Sequence, residues 1–204
     1  MDKHRTYSSD VAFSAAVKAV QTRKGSRALY ARVEAGGSWE QTLTPEISAF
    51  IAAQTSVFLA TASADGQPYI QHRGGPPGFL HVLSERALGF VDFAGNRQYI
   101  TAGNLVENPK VCLFLIDYAH KQRVKIWGEA RVVEGDVELT ASLMPTDYKA
   151  KAEQVILVDV AAWSVNCPQH IPQKIDAKDV EAALAPLRAR IAELEAENQR
   201  LMAG

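Results

Sequence analysis

The 204-residue sequence predicts a mainly β protein, a six-stranded antiparallel barrel with flanking helices and a C-terminal amphipathic helix. Three observations carry that prediction. Six segments between residues 56 and 165 show strand alternation or continuous apolar runs. Most are joined by short connections rather than by the helical crossovers of an α/β sheet. Residues beyond 173 then switch to a helical period.

The elements follow in chain order. Ser8-Ser9-Asp10 before VAFSAAVKAVQTRKG reads as a capped helix that Gly25 ends. Residues 25–43 are polar and poorly periodic. Thr44 offers an N-cap, Pro45 the first helical position and Glu46 a first-turn charge, which predicts a helix over 45–54. SVFLATA (56–62) and QPYIQHR (67–73) flank SADG, whose Asp65-Gly66 pair is a hairpin signal. Strand 67–73 runs into GGPPG (74–78), where two prolines and three glycines cannot continue a ladder. ALGFVDF (87–93) is the third strand, and NRQYITAGNLVENP (96–109) a short helix or turn-rich connection. KVCLFLID (110–117) is continuously apolar, as in a strand buried on both faces, and places Cys112 in the core. QRVKIWGEARVVE (122–134) alternates, with Gly128 a candidate bulge. A helix over 136–144 precedes the last strand, 153–165.

In the tail, Val180, Leu184, Leu187, Ile191, Leu194, Asn198 and Leu201 form a heptad seam with Asn198 at an a position. Two readings stand: a dimer contact, with Arg190 at g facing Glu195 at e, or an amphipathic helix packed on its own domain. The chain thus divides into an N-terminal helical segment (1–43), a barrel (44–172) and the C-terminal helix (173–204).

The composition is 47% hydrophobic with 22 basic against 23 acidic residues. This removes any global electrostatic argument for nucleic acid or an anionic membrane. The opening MDKHRTYSSD has no apolar signal core and no run approaches a membrane span, so a cytoplasmic protein is expected. Cys112 and Cys167 make no disulfide framework. GxGxxG after a strand, GxxxxGK[ST], HExxH, GxSxG and CxxC are all absent. Cys167 and His170 have the spacing of half a metal site without a second half.

Three places put cationic or amide side chains beside strand ends: Gln71-His72-Arg73, Asn96-Arg97-Gln98 and Lys121-Gln122-Arg123. Singly each reads as solvated surface. Together they suit a phosphate-bearing ligand, because arginine forks match phosphate oxygens and a helix N-terminus offers free N–H groups.

The run GQPYIQHRGG … LGFVDFAGNRQYITAGNLVENPKVCLFLIDYAHKQRVKIWGEARVVE resembles the FMN-binding split-barrel proteins of the pyridoxamine 5′-phosphate oxidase family. The resemblance covers about residues 50–135, and the AWSVNCPQHI segment is similar to a flavin-nucleotide-binding branch. It implies a six-stranded split barrel that forms a homodimer, with FMN in two clefts at the interface. By position, Arg97 corresponds to the arginine that holds the FMN phosphate, with Asn96 and Gln98 beside it. Arg73, Gln71 and His72 fall on a strand supplying further phosphate or ring-edge contacts, with the GGPPG loop shaping the cleft rim. Asp92 and Phe93 fall beside the ring or ribityl chain. Arg123 falls where relatives have a glutamine reaching the flavin, and Trp163 to His170 would cover the ring. Asn104 either holds the phosphate loop or ends a helix.

Gln98 replaces the usual lysine, and the oxidase's C-terminal Arg-x-His motif has no counterpart. FMN binding therefore carries over while pyridoxamine phosphate oxidation does not. Two classes of function follow: a flavin-dependent oxidoreductase with a nicotinamide donor, or a binding, storage or sensing protein for flavin, deazaflavin or haem. His72, His81, His120 and His170 keep haem open.

Overall fold

The computed structural model describes residues 6–165 and 167–203. The chain forms two compact units, one running to Ile116 and again from Arg123 to Cys167, the other made of Asp117–Gln122 and the chain from Pro168 onward.

The first unit contains helices α1 (Ala15–Lys24), α2 (Arg27–Ala35), α3 (Pro45–Ala53), α4 (Ile100–Glu107) and α5 (Val137–Leu143). Its strands are β1 (Ser56–Ala62), β2 (Pro68–Gly74), β3 (His81–Ser84), β4 (Ala87–Phe93), β5 (Lys110–Asp117), β6 (Gln122–Val133) and β7 (Ala152–Val165), the adjoining ends of β5 and β6 lying in the second unit. They form one sheet in the order β2-β1-β5-β6-β7-β4-β3. The β1–β2, β1–β5, β3–β4, β4–β7 and β6–β7 pairs are antiparallel. One face of the sheet encloses Val57, Leu59, Phe90, Leu113, Ile126 and Ile156, all fully buried. A smaller cluster of Val91, Leu143 and Val155 lies with α5, so β4 is buried on both faces.

Among the described residues the sheet has seven strands rather than six. The additional strand, β3, is only four residues long, too short for its alternation to stand out after the GGPPG loop. β5 alternates instead of being buried on both sides: Val111, Leu113 and Leu115 face the core, while Cys112, Phe114 and Ile116 are half-buried on the outer face. Partial burial raises the Cys112 thiol pKa despite the opposing charge of Lys125.

Gly128 is at the expected bulge, where the β6–β7 register shifts. A Cβ there would collide with the Asp159 carbonyl oxygen, a backbone atom that cannot swing aside. Gly128→Ala is therefore expected to cost about 1–3 kcal/mol, read as a lowered Tm; an unchanged Tm would show that the bulge relaxes freely.

The N-terminal helix is shorter than its sequence pattern. A 3₁₀ turn occupies Ser8–Val11, and the Ser14 side chain caps α1 by accepting from the Val17 amide. Gly25 ends α1 with φ 80°. Helix α2 falls in the stretch without apolar period because charge pairing holds it. Its Glu34, 4% exposed, pairs with Arg27 and lies 3.2 Å from Lys18 Nζ. Lys18 also bonds Asp10 at 2.6 Å. The Trp39 ring stacks on Trp127 of β6 at 4.6 Å, and Phe13 meets Trp39 edge-on. These rings place the N-terminal segment on the outer face of the sheet.

Burial acts upward on the Asp10 carboxyl, but its Lys18 and backbone hydrogen bonds outweigh it and hold the pKa below 3.8. A depressed folded pKa contributes stability above the unfolded value, lost as pH falls through the folded one. The near-ultraviolet signal of the Trp39–Trp127 stack is expected to weaken below about pH 4, and Asp10→Asn should flatten Asp10's share of that dependence.

In the second unit, Lys174 Nζ sits 4.1 Å over the Tyr118 ring and Gln173 donates to the Ala119 carbonyl at 3.0 Å. Helix α6 spans Ala177–Met202. Among the described residues, no helix is long and apolar enough to cross a membrane.

Candidate functional site

A cleft opens where the sheet stops closing on itself. β2 and β4 are far apart in strand order, yet Arg73 Nε on β2 lies 2.6 Å from Asp92 Oδ1 on β4. Arg73 Nη2 donates to Asp92 Oδ2 at 3.3 Å, and Gln154 Nε2 of β7 to the same oxygen at 2.9 Å. Asp92 is 7% exposed, and a carboxylate that buried depends on such partners. Side chains thus bridge the split in the barrel.

The cleft has a volume of about 250 Å³. Tyr69, Gln71 and Arg73 share one face of β2 because strand side chains alternate. Asp92 and Phe93 come from the end of β4, Asn96, Arg97, Gln98 and Tyr99 from the following loop, and Glu153 and Gln154 from β7. A bulge aims the β7 pair: Asp92 faces Gln154 while Phe93 faces Ala152, leaving Glu153 as the extra residue.

The loop is locally strained. Arg97 and Tyr99 both adopt left-handed backbone, with φ of 60° and 55°, which costs energy in a residue with a Cβ. The Asn96 side chain accepts from the Gln98 amide at 3.3 Å and donates to Gln98 Oε1 at 3.2 Å. Arg97 Nε donates to Tyr99 Oη at 3.1 Å, and Tyr99 Oη donates to Glu153 Oε1 at 2.6 Å. The Tyr99 hydrogen bond, with the Glu153 charge behind it, raises the Arg97 pKa further, so this exposed guanidinium is a permanent cation.

Helix α4 begins directly after Tyr99, and no side chain among the described residues caps it. Its first-turn residues Ile100, Thr101 and Ala102 line the cleft. The opening amides of a helix lack intrahelical acceptors and carry partial positive charge. Arg73 is matched by Asp92, so Arg97 and this helix end are the positive groups turned toward an incoming anion.

Of the residues singled out from sequence, Gln71, Arg73, Asp92, Phe93, Asn96, Arg97 and Gln98 come together in the cleft. Four do not line it. His72 points to the opposite face of β2, 2.6 Å from Ser56 Oγ and against the Phe58 ring. Asn104 ties α4 to β1 through Thr61 Oγ1 at 2.9 Å. Arg123 alternates with the core residue Val124 and so lies on the outer face; its buried Nε has no hydrogen-bond partner among the described residues. Trp163 donates from its indole to the Thr42 carbonyl at 3.0 Å, and its amide to the Glu40 carbonyl at 2.8 Å.

Cys167 is exposed, and Asn166 lies outside the described residues. The GGPPG loop is also away from the cleft. The Gly75 amide bonds the Thr55 carbonyl and the Gly78 amide the Ala52 carbonyl, fastening the loop to the end of α3. A Cβ on Gly75 would lie 2.6 Å from Phe79 Cβ, so the glycine permits core packing rather than ligand approach. His81 and His120 are hydrogen-bonded to the Leu143 carbonyl and Asp117.

Sequence reasoning missed Tyr69, Tyr99, Thr101, Glu153 and Gln154. Tyr69 could have been found, since it shares the alternation of Gln71 and Arg73. Glu153 and Gln154 could not, because only the β4–β7 register brings them here.

The pyridoxamine 5′-phosphate oxidase family model matches residues 43–167. No curated protein matches. Among solved structures, HupZ from Group A Streptococcus is 13% identical with a TM-score of 0.50, covering 65% of this chain and 99% of its own. An FMN-binding protein from Syntrophomonas wolfei subsp. wolfei is 10% identical with a TM-score of 0.47, covering 75% and 98%. At such identity the first likeness concerns the fold alone, whereas the family match spans more than half of the chain and includes every strand. The chain belongs to the pyridoxamine 5′-phosphate oxidase family.

Proposed function

We propose that this protein binds FMN in the cleft and works as a flavin-dependent oxidoreductase, taking reducing equivalents from a nicotinamide donor and passing them to a small acceptor. The observation that carries this reading is the convergence of Arg97 and the uncapped N-terminus of α4 on one cleft. That combination suits a phosphate monoester, and family membership makes a flavin nucleotide the expected bearer. Arg97 and the α4 amides would hold the phosphate. Gln71, Asn96 and Gln98 would offer amide contacts to the ribityl chain and ring edge. Asp92 fixes Arg73, which would offer guanidinium N–H groups to the flavin rather than a net charge. Bound flavin itself supplies the hydride chemistry.

A cleft of about 250 Å³ is smaller than the roughly 300–1,000 Å³ of sites that enclose a whole ligand. A homodimer would supply the missing walls. The outer face carries Phe58, Ile70, Cys112, Phe114 and Ile116 at partial or full exposure, a surface suited to a second copy.

The test is the visible spectrum of the purified protein, with mass analysis of any chromophore released on denaturation. A flavin spectrum with the mass of FMN supports the reading. Anaerobic bleaching by NADH or NADPH then separates turnover from storage. A Soret band, or a colourless protein that also fails to bind added FMN, overturns it.

A further inference from the structure

Helix α6 has 26 residues and none of them is buried. Its seam residues Val180, Leu184, Leu187, Ile191, Leu194 and Leu201 are 36–73% exposed. Their placement distinguishes between possible occupants. With Leu184, Ile191 and Asn198 at a, the d positions are Val180, Leu187, Leu194 and Leu201. The b, c and f positions hold Lys178, Asp179, Ala185, Pro186, Glu193 and Gln199, among further alanine and arginine, and no large apolar side chain. The e and g positions are largely Glu181, Arg188, Arg190, Glu195 and Glu197.

A helix that packs on a globular body shows a broad apolar stripe extending into e or g, whereas a strict a/d stripe is the seam of a coiled coil. Leucine at d with Ile191 at a favours two strands. Asn198 sets the direction. In a parallel pair the two Asn198 amides meet in one layer, while an antiparallel pair would set each against an apolar d residue and leave its amide unpaired. Parallel register also brings Arg190 at g beside Glu195 at the partner's e. Pro186 lies at a c position, so the hydrogen bond it omits is on the outer side and the seam is clear.

From this we infer that α6 pairs with α6 of a second copy as a parallel, in-register two-stranded coiled coil. The inference is independent of flavin binding. It is tested in the full-length chain with exposed Cys167 changed to Ser. Leu187→Cys and Leu201→Cys are oxidised separately, with Ala189→Cys at an f position as control. Both d-position variants are expected to give same-site disulfide dimers on non-reducing gels well above the control. Cross-linking no greater than Ala189→Cys, or at Leu187 without Leu201, overturns the parallel pair. A second measurement is Asn198→Leu in sedimentation velocity. Loss of the buried amide is expected to admit species larger than the parent's; an unchanged distribution counts against Asn198 lying in the seam. Because disulfide capture reads the helices directly, it can fail while FMN binding succeeds, and the reverse.

Discussion

Arg73→Ala is expected to lower the stability of the barrel by about 3–5 kcal/mol, a fall in Tm of roughly 6–20 °C for a chain of this size. The substitution removes the ion pair that bridges the split and strands the Asp92 carboxylate, which is 7% exposed. Gln154 would still donate one hydrogen bond to Asp92, which places the loss toward the lower end. The cause lies in the buried charge left behind, so a second substitution should relieve it. Arg73→Ala combined with Asp92→Asn is expected to recover part of the loss, because a neutral amide tolerates the same surroundings at less cost. Thermal denaturation of both single variants and the double variant measures this coupling. An Arg73→Ala protein melting with the parent would mean that the split is held by backbone and packing alone.

Arg97→Ala is expected to leave the fold nearly intact while weakening FMN binding roughly ten- to a hundredfold, as expected for loss of a charge-assisted hydrogen bond. The two arginines therefore separate by kind. Arg97 is exposed, and among the described residues its side chain bonds Tyr99, so its loss strands no buried charge. Fluorescence titration with FMN measures the affinity. Arg97→Lys should recover less than half of the lost free energy, since an ammonium keeps the charge but not the planar fork. An unchanged affinity in Arg97→Ala would remove the phosphate from this end of the cleft and with it the proposed orientation of the cofactor.

Tyr99 connects the two results. Its hydroxyl lies between Arg97 and Glu153, so the strained turn is anchored to β7. Two non-glycine residues at positive φ within three positions would be unfavourable in a free loop. Here hydrogen bonds and the start of α4 supply the compensation. Sequence shows a Tyr after Arg-Gln and nothing of that anchorage.

How much was legible depends on whether the determining interaction is local. The Thr44-Pro45-Glu46 start of α3, the hairpin at Asp65-Gly66 and the bulge at Gly128 were readable because capping, turn and bulge chemistry act within a few residues. The Asn96-Arg97-Gln98 turn was readable for the same reason, since its cleft-facing side chains are neighbours in sequence. Helix α2 was not, because Glu34 and its cations stabilise it in place of an apolar stripe. In the GGPPG loop, stiffness and glycine content show that a close approach is needed without showing to what; at Gly75 it is Phe79.

By itself the sequence determined the mainly antiparallel strand content, the family, and the cationic turn ahead of α4, since each depends on residue type and short-range order. Only the tertiary structure decided that Arg73 closes on Asp92, that His72, Arg123 and Trp163 lie elsewhere, and that Glu153 and Gln154 join the cleft. Each of these follows from sheet curvature and inter-strand register, which bring together positions 19 to 62 residues apart in sequence. A strand's period of two determines which side chains share a face, but which partner that face meets depends on how the whole sheet curls.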